Sequence, residues 1–353
     1  MKKLYNNALF YKDWRTSKWI SIIMTINLFY FKTMEAFTLI SLQKYRMAID
    51  EKFVPNKMWF NGYLIGHNKD GYMISLILVA LLTVLLFKGE KQNSTFELLY
   101  SMPFKRKEMI LSKIKVGFLS IIIPFLVNFI IMTLFYIKNK AYIGSNYSDI
   151  PKFYFINLLM CLLFFIFLVF IQTIVGQYLI ATITAPIILI TPYVLVKYLL
   201  ELVESTLRYS IYPKLWKLTN FYPNLNIYDI ANYQNIPMDK VFKNGEWTYS
   251  NYKYGYESFG VKILVMIFLI MVFSLLSVII YNRLKVEKIN QLIIFKPAEK
   301  IFNLGVAIWC GIVVSVIFGD VYTGNRLRIY ITLFLGAAIG YYISKLMIKL
   351  FSR

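Results

Sequence analysis

Eight long apolar runs recur along this chain, and no other feature restricts its fold so strongly. They are Trp19–Leu42, Tyr72–Phe87, Ile114–Ile137, Phe153–Thr173, Ile174–Leu200, Val261–Tyr281, Gly305–Val321 and Tyr330–Phe351. Crossing about 30 Å of hydrocarbon takes roughly 20 apolar residues in a helix. Inside that hydrocarbon the backbone has to satisfy its own hydrogen bonds, so such runs fold as α-helices. The predicted fold class is an all-α polytopic membrane protein with about eight transmembrane helices. The second and seventh runs hold only 16 and 17 residues, so they borrow neighbouring residues or sit partly in the interface.

Charge decides between a bilayer and a nucleic acid as the partner. The net charge is +21, but the Lys and Arg residues flank apolar runs, as the positive-inside rule and anionic lipids favour. Membrane lipids are therefore expected partners and nucleic acid is not. The hydrophobic share is 58%, against about 45–50% in soluble domains. Cys161 and Cys310 both fall in apolar runs, where a small buried hydrophobe is the natural role. No short apolar core with a small-residue cleavage site opens the chain, so the first span is expected to act as its own anchor. Ahead of it, Leu4–Lys18 mixes apolar and basic residues, a pattern suited to an amphipathic helix flat on the membrane.

Alternation of eight spans puts four basic stretches on one side: the N-terminus, Lys88–Lys113, Asn282–Leu304 and the C-terminal end. That side is expected to be the cytoplasm, with the protein in the cell membrane. Gln43–Gly71, on the other side, carries five basic residues, which weakens the contrast. Thr173–Gln177 leaves room only for a tight turn between the fourth and fifth spans. Glu201–Gly260 is the longest polar segment and is rich in Tyr and Trp, residues that prefer the membrane boundary. Short interfacial helices are expected at Tyr209–Phe221, and a loop at Trp247–Phe259. Residues 1–281 form a six-span unit in this division, with segments 88–113 and 201–260 on opposite sides. Residues 282–353 add a loop and a two-span hairpin.

Lys88–Lys113 reads KGEKQNSTFELLYSMPFKRKEMILSK. Ser94 and Glu97 have capping-box spacing, so a helix is expected from about Thr95 to Pro103. Phe96, Leu99 and Tyr100 share one face of it, an apolar stripe that calls for a lipid surface or a protein groove.

Missing chemistry narrows the function further. No G-x-x-x-x-G-K-[ST] loop occurs, so this chain has no phosphate cradle of that type. His67 is the single histidine, which excludes a site of the H-E-x-x-H kind; no catalytic residues or metal ligands are nominated. Lys32 and Glu35 lie three apart in the first span and share a helical face. They form either an intramembrane pair or, if the span ends near Phe31, two side chains that snorkel to the boundary. Gly336 and Gly340 have the spacing of close helix packing. Pro124, Pro186 and Pro192 interrupt backbone hydrogen bonding inside spans.

In order along the chain, Glu90, Thr95, Glu97, Leu98, Leu99, Ser101, Pro103, Arg106, Glu108, Ile110 and Lys113 resemble the segment that follows the second span in type-2 ABC exporter permeases. Ser94 stands where that family usually has Gly, a swap that suits an N-cap. The layout of residues 1–281 is also similar. The resemblance implies a transport subunit with no cofactor of its own, whose separate cytosolic ATPase binds ATP and Mg. It further implies a complex of two permeases, identical or not, with two ATPases. Phe96, Leu98 and Leu99 would supply the docking face, and Glu97, Arg106 and Glu108 would hold its geometry. The substrate class would be lipid-like, peptide or antibiotic-like. Two other readings stay open: a secondary transporter, and a non-transporting membrane scaffold or sensor, with the polar segment then only an interfacial helix.

Overall fold

The computed structural model describes residues 2–50, 57, 59–60, 69–92, 104–144, 146–207, 226, 234–243, 246–256, 258–284, 291–319 and 326–351. Among these, the α-helices in chain order are α1 (Lys2–Leu28), α2 (Glu35–Ile49), α3 (Lys69–Gln92), α4 (Arg106–Lys138), α5 (Asp149–Ile174), α6 (Tyr178–Leu207), α7 (Phe259–Asn282), α8 (Lys296–Phe318) and α9 (Arg326–Phe351). A π-helical turn, Phe29–Met34, joins α1 to α2. Seven helices, α3 to α9, are long and apolar enough to cross a membrane.

Three sequence expectations change. Leu4–Lys18 is not a separate helix, because α1 runs unbroken from Lys2 to Leu28. No Pro or Gly interrupts this stretch, so nothing in it ends a helix. The first expected span is instead divided at the π-helical turn, and helix continues beyond Leu42 to Ile49. The two short spans are not among these changes: they borrow polar neighbours, one of the two outcomes expected, and reach 21 and 22 residues, Gly71–Lys91 and Pro297–Phe318. Finally, the loop expected at Trp247–Phe259 is largely strand: β1 (Gln234–Lys243) pairs antiparallel with β2 (Glu246–Gly255). Four tyrosines, with Trp247 and Thr248, favour a strand in this stretch, and Asn244-Gly245 is the strongest short hairpin signal. The expected helices at Tyr209–Phe221 lie outside the described residues.

The chain packs as two compact units. The first comprises Met1–Leu86, Lys107–Phe167 and Ala231–Leu275. Polar side chains tie its helices together: Asn27 donates to the Gly71 carbonyl and to Ser75 Oγ, both at 3.0 Å, and Asn128 donates to the Thr25 carbonyl at 3.1 Å. Gly117 allows α4 and α5 to meet closely, since a Cβ there would lie 1.9 Å from the Phe165 ring. Phe165 is fully buried, and Phe167 meets Phe273 of α7 edge to face with centroids 5.0 Å apart.

The second unit comprises Phe87–Arg106, Leu168–Ile230 and Leu276–Arg353. Here α8 and α9 form a hairpin in which Gly336 and Gly340 face α8. A Cβ on either would fall within 2.7 Å of Cys310 atoms, so the small-residue spacing packs this hairpin internally. Tyr198 of α6 joins Ile312 and Ile329 in a buried cluster, and its hydroxyl meets Ser315 Oγ at 2.7 Å. Trp309 Nε1 donates to Thr191 Oγ1 at 2.9 Å. The turn between α5 and α6 falls within the expected Thr173–Gln177. It pairs with the chain entering α8: Ile294 N donates to the Ile174 carbonyl at 3.0 Å and Gly176 N to the Leu292 carbonyl at 3.2 Å.

Candidate functional site

The polar segment leaves α3 at Gln92 and enters α4 at Arg106. Thr95, Phe96, Glu97, Leu98, Leu99 and Pro103 lie outside the described residues, so the structure bears on this segment through its two ends.

At the first end, Glu90 is buried and accepts a hydrogen bond from the Tyr281 hydroxyl at 3.3 Å. The adjacent Lys91 ammonium donates to three oxygens at the C-terminus of α5, namely the Gln172 carbonyl, Gln172 Oε1 and the Val175 carbonyl, each at 2.7 Å. The last carbonyls of a helix have no intrahelical partner and carry partial negative charge, which a cation satisfies on both counts. Gln172 in turn donates through Nε2 to the Tyr178 carbonyl at 2.8 Å and Thr182 Oγ1 at 3.0 Å, on α6. A single lysine therefore fastens the start of the segment to the α5–α6 turn.

At the second end Arg106 does the same for another helix. Its guanidinium donates to the carbonyls of Asn282, at 3.2 Å, and Leu284, at 2.5 Å, where α7 terminates. What these two contacts do is cap the C-terminus of α7. Glu108 lies in the first turn of α4, where its charge complements the positive helix N-terminus.

Within the first unit, Lys113 is only 1% exposed. Its ammonium donates to the Leu86 carbonyl on α3 and lies 4.0 Å from Asp13 Oδ1 on α1. Ser112 Oγ donates to Asp13 Oδ2 at 2.8 Å, so the carboxylate is held by two neighbours on α4. Buried charge is tolerated only when paired and hydrogen-bonded in this way. Sequence reasoning names Glu90, Arg106, Glu108 and Lys113 but misses Asp13, Lys91, Gln172 and Tyr281. One signal points to the first of these: Asp13 is the single acid before Glu35, in a stretch otherwise basic.

Lys32 and Glu35 occupy a different place. Lys32 sits in the π-helical turn, is 9% exposed, and its ammonium lies 5.1 Å from the centroid of the Phe153 ring. The alternative in which the span ends near Phe31 and Lys32 snorkels outward does not match, since helix continues and the side chain is buried. Glu35 follows at the start of α2, half-buried.

Comparison with known proteins supplies the class. The family profile described as ABC-2 family transporter protein matches residues 12–286. No curated protein and no solved structure gives a significant match. The matched stretch is well over half of the chain and includes Asp13, both ends of the polar segment and Lys113. With seven helices among the described residues long and apolar enough to span a bilayer, this chain is a multi-pass membrane protein that belongs to the ABC-2 family of transporter proteins.

Proposed function

We propose that the chain is the permease subunit of an ATP-driven exporter, and that the Lys88–Lys113 segment receives mechanical work from a separate cytosolic ATPase. One observation carries this reading. Described contacts at both ends of the segment end on spans, through Glu90 and Lys91 at the start and Arg106 at the finish. A push on the segment is then a push on the C-termini of α5 and α7, with Lys113 and Asp13 linking α4 to α1 beyond it. An interfacial helix that merely stabilised a bundle would not require its flanks to cap two helix ends.

ATP and Mg belong to the partner, because the sequence offers no Gly-rich loop to cradle phosphates. Phe96, Leu98 and Leu99 form the docking face in this reading, with Thr95, Glu97 and Pro103 setting the helix bounds. The N-terminus then faces the cytoplasm, the protein sits in the cell membrane, and a second permease completes the pathway. The cargo is lipid-like, peptide or antibiotic-like, since an apolar pathway selects by shape.

Co-purification tests the assignment. The full-length protein should bring down a P-loop ATPase, and Leu98→Asp with Leu99→Asp should abolish that association while the protein stays folded in the membrane. Retained association counts against the docking face. The secondary-transport reading finds its one support in buried Lys32; it demands transport without any ATPase.

A further inference from the structure

The first unit holds a groove of about 370 Å³ between α4, α5 and the start of α7, lined by Phe125, Phe129, Phe155, Leu158 and Phe259, among others. Lys152 is the one charged side chain among its described lining residues. We infer that this groove binds one glycerophospholipid with an anionic headgroup, its acyl chain along the apolar wall and its phosphate on the Lys152 ammonium.

Depth supports the assignment. Lys152 lies in the first turn of α5, Phe259 is the first residue of α7, and Phe129 lies within the last third of α4. Lys152 and Phe259, each at the start of its helix, therefore mark one membrane boundary, and Phe129 lies deeper along the groove wall. From Lys152 to Leu158 the helix descends about 9 Å at 1.5 Å per residue. Lys152, Phe155 and Leu158 follow one another at three-residue steps, so head and tail contacts share a helical face. Phe155 is 43% exposed and Leu126 is 51% exposed, so the groove opens to the side and admits a chain from the bilayer.

Charge selects the headgroup. From Lys138 to Lys152 the chain carries Lys138, Lys140 and Lys152 against Asp149 alone, an excess that attracts an anion. Each basic residue near an anionic lipid surface contributes about 1 kcal/mol, a factor of about five.

Native mass spectrometry of the full-length, delipidated protein, incubated with phosphatidylglycerol or with phosphatidylcholine of the same chains, tests this without any ATPase. The wild type should retain one phosphatidylglycerol per chain, with phosphatidylcholine retained about fivefold less. Lys152→Ala should bring phosphatidylglycerol down to the phosphatidylcholine level, and Leu158→Trp, which fills the groove, should lower both. Equal retention of the two lipids by the wild type overturns the proposal, as does an unchanged preference in Lys152→Ala. A dimer of the wild type that Leu158→Trp dissociates, with lipid retention unaltered, overturns it too and assigns the groove to a second copy.

Discussion

Asp13 and Lys113, a hundred residues apart, face each other as a buried ion pair, with the Lys113 ammonium 4.0 Å from Asp13 Oδ1. Asp13 is 4% exposed and Lys113 1% exposed. Removing one partner from such a pair leaves the other buried charge without this counter-charge, at a cost of about 3–5 kcal/mol. Asp13→Ala is therefore expected to lower the thermal unfolding midpoint strongly in detergent. Lys113→Met in the same background removes the buried ammonium as well and should restore much of the loss. A double variant no more stable than Asp13→Ala alone would show that the two residues are not coupled.

Lys91 is expected to matter locally and functionally. Its three donations end on the α5–α6 turn, and charged hydrogen bonds contribute on the order of 2 kcal/mol. In Lys91→Met, hydrogen exchange should quicken at Gly176 and Ile294, the amides that pair this turn with the chain entering α8. Exchange around Tyr198 and Ser315 should stay the same. ATPase co-purification should persist while ATP-driven transport falls, because the docking face is untouched and its link to α5 is cut. Unchanged exchange at both amides would remove Lys91 from this role.

How much of this is legible in the sequence depends on the range of the interaction. Spans are read from unbroken apolar length, a local property, and so is the tight turn near Gly176. The β1–β2 hairpin is also locally encoded, in Asn244-Gly245 and its Tyr-rich flank, but aromatic residues near a membrane invite an interfacial reading. Asp13 and Lys113 show the limit: the sequence supplies many lysines for one acid, and only folding selects among them. Lys91 reads as one more positive-inside charge until the α5 carbonyls appear beside it. The sequence predicts two helices where α1 is one, because the amphipathic pattern before Lys18 is conspicuous and the lack of any helix-breaking residue is not.

The α8–α9 hairpin offers a direct packing test. A side chain added at Gly340 would place its Cβ 2.9 Å from Cys310 Sγ, and one at Gly336 would meet the Cys310 carbonyl at 2.7 Å. Gly340→Val should therefore force the helices apart, at about 1–3 kcal/mol of overpacking. Cys310, partly buried, should then react faster with a membrane-permeant maleimide, whereas fully buried Cys161 should not. Equal labelling before and after substitution would mean the helices do not pack through these glycines.

Lys32 separates the two energy sources. Its ammonium sits over Phe153 with little solvent contact and interacts with the Glu35 carboxylate, and a buried cation has a large desolvation cost that these two interactions only partly offset. Met matches the lysine stem in volume without that cost, so Lys32→Met should fold with stability unchanged or raised. In a permease worked by an external ATPase no titrating group is required in the spans, and this variant should still transport in liposomes when the ATPase and ATP are supplied. A secondary transporter would instead lose its coupling ion site, and Lys32→Met would be inactive although folded. Transport measured for this variant, with unfolding midpoints alongside, therefore assigns the work either to the segment between α3 and α4 or to the π-helical turn.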